Sequence, residues 1–136
     1  MILTRFRHAF LIAAFLAAVP FGVLETHALD GLKRTELRRV DLTGTQGTEV
    51  ITSILEAAPG AGIPRHTHHG DEFLYVLEGG TIEVPGKAPM HLKTGDTLHF
   101  PRGLAHGGFT VVGDAPIKAL TIHVVDKGKP LMVPVE

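Results

Sequence analysis

The sequence predicts an all-β protein, a sandwich or closed barrel of many short strands. Three observations point there. Apart from one apolar stretch near the N-terminus, no segment repeats its apolar residues with a helical period. Short apolar runs recur instead, separated by clusters of Gly, Pro, Thr and Asp, as strands separated by turns do. The 16 glycines and 9 prolines are too many for long helices, and most stand at the breaks between runs. A chain of 136 residues has room for one ordinary domain.

The N-terminus reads as an export signal over residues 1–28. Arg5, Arg7 and His8 form a positive start, and Ala9 to Val19 is unbroken apolar sequence. Thr26-His27-Ala28 then offers small residues for cleavage after Ala28. The apolar stretch is interrupted by Pro20 and Gly22 and is short for a spanning helix, so no stable membrane span is expected after cleavage. Cleavage removes two basic residues and one acidic residue, taking the formal charge from −1 to about −2. The expected location is periplasmic or secreted, with a single domain over residues 29–136.

Leu29 to Thr35 reads as a loose arm, and Leu37 to Leu42 as a first strand or an arm packed on a neighbour. Thr43-Gly44-Thr45-Gln46-Gly47 is a turn, and Glu49 to Glu56 is a strand. Pro59 to Gly62 breaks it. Ile63 to His68 is extended because Pro64 disfavours helical geometry around itself. His69-Gly70-Asp71 turns into the strand Glu72 to Glu78, and Gly79-Gly80 signals a hairpin. Thr81 to Val84, Met90 to Lys93, Thr97 to Phe100, Phe109 to Val112 and Ile117 to Val125 follow as further strands.

The strand Glu72–Glu78 is apolar on both faces. Leu74 and Val76 share the parity of Glu72, while Phe73, Tyr75 and Leu77 take the other side. Both faces need cover, and no helix is available to supply it. A second copy of the chain would cover the outer face, so a homodimer is expected.

Composition excludes several function classes. No basic tract of the kind that binds nucleic acid is present. There are no cysteines, so disulfides and thiolate metal ligands are out of reach. Any metal must be held by nitrogen and oxygen.

The chain carries such a donor set. His66, His68 and Glu72 have one parity, so an extended strand would point them the same way. His106 follows the turn Pro101-Arg102-Gly103 much later in the chain. Three imidazoles and one carboxylate suit a divalent transition ion, with Fe, Mn, Ni, Cu, Co and Zn all admissible. Two further residues are candidates for catalysis. His123 alternates with Thr121 against Leu120, Ile122 and Val124, and facing a pocket it could act as a general acid or base near neutral pH. Arg102, near His106 in sequence, could clamp a substrate carboxylate. His69 has the wrong parity for the donor set, His91 reads as exposed, and Tyr75 belongs to the outer face.

The spacing resembles the cupin superfamily, in particular small exported single-domain, quercetinase-like cupins. Gly60, His66, His68, Glu72 and Gly79 match the first cupin motif at every fixed place. Gly95, Pro101, Gly103 and His106 match the second, and Thr110 stands where that motif has Asn. The resemblance spans essentially all of the chain after the signal. It implies a cupin-type antiparallel β-barrel, or jelly roll, with one metal on His66, His68, Glu72 and His106. It leaves the reaction open, because one fold and one metal site serve many functions. Two readings stand. One is a metal-dependent enzyme, a dioxygenase by family analogy, acting on a small organic anion. The other is a non-catalytic module that binds or senses a small molecule through the metal. A metal that merely braces the barrel is a third and weaker reading.

Overall fold

The computed structural model describes residues 30–136, and the expected signal peptide lies outside them. The described residues form eleven strands and no helix: β1 (Leu32–Asp41), β2 (Thr48–Ala57), β3 (Gly62–Ile63), β4 (His66–Thr67), β5 (Gly70–Glu78), β6 (Gly80–Glu83), β7 (Met90–Leu92), β8 (Thr97–Phe100), β9 (Phe109–Val112), β10 (Ile117–Asp126) and β11 (Val133–Pro134). All pairs are antiparallel. One sheet has the order β1-β2-β10-β5-β8, a second has β3-β9-β6-β7, and β11 pairs with β4 alone. The all-β expectation holds.

Strand β10 shows why these residues take these places. Ile117, Ala119, Thr121, His123 and Val125 are buried, and every residue between them is only half-buried. That strict alternation fixes its register, because a slip of one residue would bring Lys118 inside. The inner face changes character along the strand. Ile117 packs in an apolar cluster with Ala57, Ala61, Ile63, Val76, Ile82, Leu92 and Val111, which joins the two larger sheets. Further along, Thr121 and His123 are wholly buried polar groups. The apolar end holds the barrel together, and the polar end positions the site.

Four local expectations need correction. The loose arm is part of β1, a ten-residue strand paired with β2 and bulged between Glu36 and Arg38. Its mixed polar sequence hides it, since an edge strand needs one partner and little apolar surface. Gly79-Gly80 is not a hairpin turn: β5 and β6 lie in different sheets, so these glycines carry the chain from one to the other. Gly70 and Asp71 belong to β5 rather than to a turn. The extended stretch around Pro64 is two short pieces, β3 and β4, with different partners.

Candidate metal centre

The donors reach one place from three parts of the chain. His66 opens β4, and its backbone exchanges two hydrogen bonds of 2.9 Å each with that of His106. His68 follows β4 directly. Glu72 stands in β5 opposite His123 of β10 and Phe100 of β8. A turn closed by Leu104 N–H donating to the Pro101 carbonyl brings His106 in after β8. Phe100 stacks on the His106 ring at 4.1 Å and 8°. The shared parity of His66, His68 and Glu72 is therefore not what unites them. His66 and His68 lie at and just beyond β4 while Glu72 lies in β5, and the convergence of these three with His106 is tertiary.

One ligand atom from each of His66, His68, Glu72 and His106 falls within 4.8 Å of the other three. Donors lie about 2.0–2.2 Å from a divalent first-row ion, so opposite donors stand roughly 4.2 Å apart. The set needs only a small inward shift to close on an ion. Its hydrogen bonds make the stronger case. The Nδ1–H of His66 donates to the Pro64 carbonyl at 2.8 Å, that of His106 to Leu104 at 3.0 Å, and that of His68 to Leu131. A carbonyl only accepts, so each neutral ring carries its proton on Nδ1 and turns a bare Nε2 away from that carbonyl. Yet His68 Nε2 and His106 Nε2 lie 3.0 and 2.9 Å from Oε2 of Glu72. Lone pairs facing a carboxylate at that range require a cation between them. The site fits a metal on the chemistry of its own donors.

The titration directions agree. Burial works against the Glu72 carboxylate, but the imidazoles of His106, His123 and His68 outweigh it and hold the group well below the usual carboxylate range. Burial pushes His66 down, so it is neutral and ready to ligate. For His106, burial is outweighed by Glu72 and the Leu104 carbonyl, and its pKa rises. A proton there does part of a metal's work.

Gly107 follows His106 at φ +77°, a left-handed conformation that other residues avoid. A Cβ at Gly107 would also lie 2.5 Å from the Pro64 carbonyl oxygen and 3.1 Å from His66 Nδ1. The carbonyl that orients His66 would have to move. Gly107→Ala should weaken metal binding by about 10–100-fold and cost the fold about 1–2 kcal/mol. Metal titration and thermal melting of the variant check both, and unchanged affinity would mean the Pro64–His66 contact is dispensable.

The other sequence candidates fall as follows. His123 faces inward, wholly buried, with its ring 4.7 Å from that of His68. Its Nε2 is 3.3 Å from Glu72 Oε1, yet neither ring nitrogen has hydrogen-bond geometry with any partner. Burial outweighs the pull of Glu72 and keeps it neutral. It backs the metal ligands rather than lining the cavity described below. Arg102 is exposed, and its guanidinium grips Asp126 in a two-pronged pair at 3.0 and 2.6 Å. The structure places that side chain away from the cavity, in contrast to the clamp suggested by its closeness to His106 in sequence. His99 stacks on Phe73 and bonds Asp71 at 3.1 Å. His91 is exposed, and Thr110 is exposed on β9 opposite Gly62, outside the donor set.

The donor cluster opens on a cavity of about 770 Å³. His66, Glu72 and His106 form part of its wall, and most of the rest is apolar, including Leu74, Leu98 and Phe109. The charged wall residues Lys33, Arg34, Arg65 and Lys87 escaped the sequence reading, and of these only Arg34 is not exposed. Arg34 of β1 is half-buried there and donates from Nη1 to Thr121 Oγ1 at 2.9 Å. The only sequence signal was that Arg34 shares the parity of Leu32, and it carries weight only if that segment is a strand.

Fold and site together define a small β-barrel protein whose three histidines and one carboxylate form a cluster able to hold a metal ion, opening onto its hollow. Residues 53–123, just over half of the chain, match the Cupin domain family. The chain belongs to the cupin family, and its fold is the cupin double-stranded β-helix. A germin-like protein of Morus alba is 38% identical over 69 residues, covering 46% of this chain and 33% of that protein. The chain thus matches about a third of the length of such relatives. Among solved structures, the DMSP lyase DddQ from Ruegeria pomeroyi superposes with a TM-score of 0.58 at 22% identity, covering 82% of this chain and 55% of that one. An oxalate oxidase bound to the substrate analogue glycolate gives 0.55 at 25% identity, covering 78% and 56%.

Proposed function

We propose that this cupin is a metal-dependent enzyme acting on a small organic anion, and that its chemistry is oxygen-dependent. The observation that carries the reading is the opening of the donor cluster onto the cavity. A metal that only braced a barrel would need no such chamber beside it. A divalent transition ion held by four protein donors supplies a Lewis-acidic centre with open positions and, if redox-active, a route for electrons. The residues themselves do the rest. His66, His68 and His106 are held by the backbone carbonyls of Pro64, Leu131 and Leu104, so they present nitrogen in one direction. Glu72 contributes the one negative charge. Three neutral imidazoles and one carboxylate leave a divalent site net positive, which favours an anionic substrate. The apolar walls exclude water from it. His123, neutral and unpartnered beside Glu72, can hold a proton within the buried shell. The structurally similar oxalate oxidase, which was solved with the substrate analogue glycolate, lends support.

The test is oxygen consumption by iron-, manganese- or copper-loaded protein against a panel of small carboxylates and enolisable diones. Substrate-dependent uptake is the expected result. Equal turnover under strict anaerobiosis would remove the oxygen-dependent part. A ligand bound tightly and recovered unchanged would favour the binding module instead.

Two further readings join this proposal. The protein is exported, on the strength of the N-terminal sequence, and intact mass from its own host should then begin at Leu29. It is also a homodimer through the outer face of β5. Phe73 and Tyr75 there remain 42% and 43% exposed, even though the His99 ring of β8 stacks on Phe73. Sedimentation equilibrium at micromolar concentration should give twice the chain mass, and a monomer would refute it.

A further inference from the structure

Arg34 is a cation in a largely apolar chamber with no carboxylate in contact with it among the described residues. Its half-buried guanidinium lines the cavity and makes one hydrogen bond, from Nη1 to the buried hydroxyl of Thr121. A guanidinium has five N–H donors, so most of its capacity remains unused. Other cations of the same strand are paired: Lys33 with Glu56 at 3.5 Å, and Arg39 with Glu36 and Glu49 at 2.9 and 2.6 Å. Among the described residues Arg34 has no carboxylate within ion-pair distance. Lys33, Arg65 and Lys87 also line the cavity, but all three are exposed. Glu72 acts on Arg34 only across a distance, and a partly desolvated cation with no carboxylate in contact is costly; a ligand carboxylate would relieve that cost with paired hydrogen bonds.

Its position sets the shape of the ligand. Thr121, which anchors the guanidinium, is one same-face step along β10 from His123, and His123 stands opposite Glu72. One such step is roughly 7 Å. The space between and around these points is walled by Leu55, Leu74, Leu92, Phe109, Ile117 and Ala119. A two-carbon acid chelating the metal would leave most of the 770 Å³ cavity empty.

We infer that Arg34 is the carboxylate anchor of this site, and that the ligand is a monocarboxylate with an apolar body whose far end meets the metal centre. The inference rests on the enzyme reading above for its metal end only; the anchor is independent of it. Arg34 is a positioning residue that sets which molecules bind.

Calorimetry with 3-phenylpropionate and its uncharged analogue 3-phenylpropanamide tests this, on metal-free and Mn²⁺-loaded protein. Metal-free wild type should bind the acid about tenfold more tightly than the amide. Arg34→Gln should bring that ratio near one while amide affinity, which reports an intact chamber, stays within about twofold. Arg34→Lys should keep part of the preference. A preference that survives Arg34→Gln in metal-free protein overturns the anchor. So does one that appears only with Mn²⁺ and is untouched by Arg34→Gln, which would place the acid on the metal and leave the enzyme reading standing. Failure of wild type to bind either probe at millimolar concentration overturns the apolar-bodied class. An Arg34-dependent preference in a protein that retains no metal keeps the anchor and sinks the enzyme reading.

Discussion

His106→Ala is expected to strip the metal from this protein, lowering affinity by at least about a hundredfold. The loss follows from what remains. Without its Nε2 the site has two imidazoles and Glu72, and the face toward the cavity lies open. The fold should survive, because the paired hydrogen bonds between residues 66 and 106 run through backbone atoms that alanine keeps. What the apoprotein loses is the Phe100 stack and the contact to Glu72, a cost of about 1 kcal/mol. The measurement is metal content after dialysis against a weak chelator, with thermal melting of the metal-free forms alongside. Wild-type stoichiometry in the variant would refute the donor assignment. A collapse of the metal-free fold would refute the claim that backbone hydrogen bonds keep that loop in place.

Gly70→Ala should be the most damaging small change in the scaffold. Gly70 opens β5 against Val125 of β10. A Cβ there would stand 2.1 Å from the Val124 carbonyl oxygen and 2.5 Å from the Val125 Cα, atoms of a backbone that is itself paired on its other side with β2. The demand is for space rather than for an unusual φ, so the strands must part. Overpacking that neighbours cannot absorb costs about 3 kcal/mol or more, or roughly 10–20 °C in melting temperature for a domain of this size. Glu72 is two residues on and paired with His123 through the same ladder, so metal affinity should fall with stability. An unchanged melting temperature and metal content would show that β5 and β10 have slack not visible in their backbone spacing.

The motif residues were legible because their chemistry is local and scarce. Three histidines and a glutamate at fixed spacing, in a chain without cysteine, leave few uses other than holding a metal. Strand β10 was legible as a strand because it is a run of apolar and β-branched residues following the turn Gly113 to Pro116. Its inward face was not, since the structure buries Thr121 and His123 and leaves Leu120, Ile122 and Val124 half-buried. Other features were hidden by the nature of the signal. The polar β1 edge strand reads like an arm because pairing with one neighbour leaves little trace in hydropathy. Gly79-Gly80 reads like a hairpin because the same residues serve equally to switch sheets. Arg102 looked like a site residue from its neighbours in sequence, but its guanidinium reaches Asp126, which lies 24 positions further on.

From the amino acids alone came the β class, the family resemblance and the identity of the four donors, since periodicity and side-chain chemistry are properties of neighbours along the chain. Only the folded molecule decided that these donors meet, which nitrogen each histidine presents, and that Arg34 rather than Arg102 faces the chamber. Those are distances between residues far apart in sequence. Sheet order and the direction of single carbonyls set them, and no local pattern encodes either.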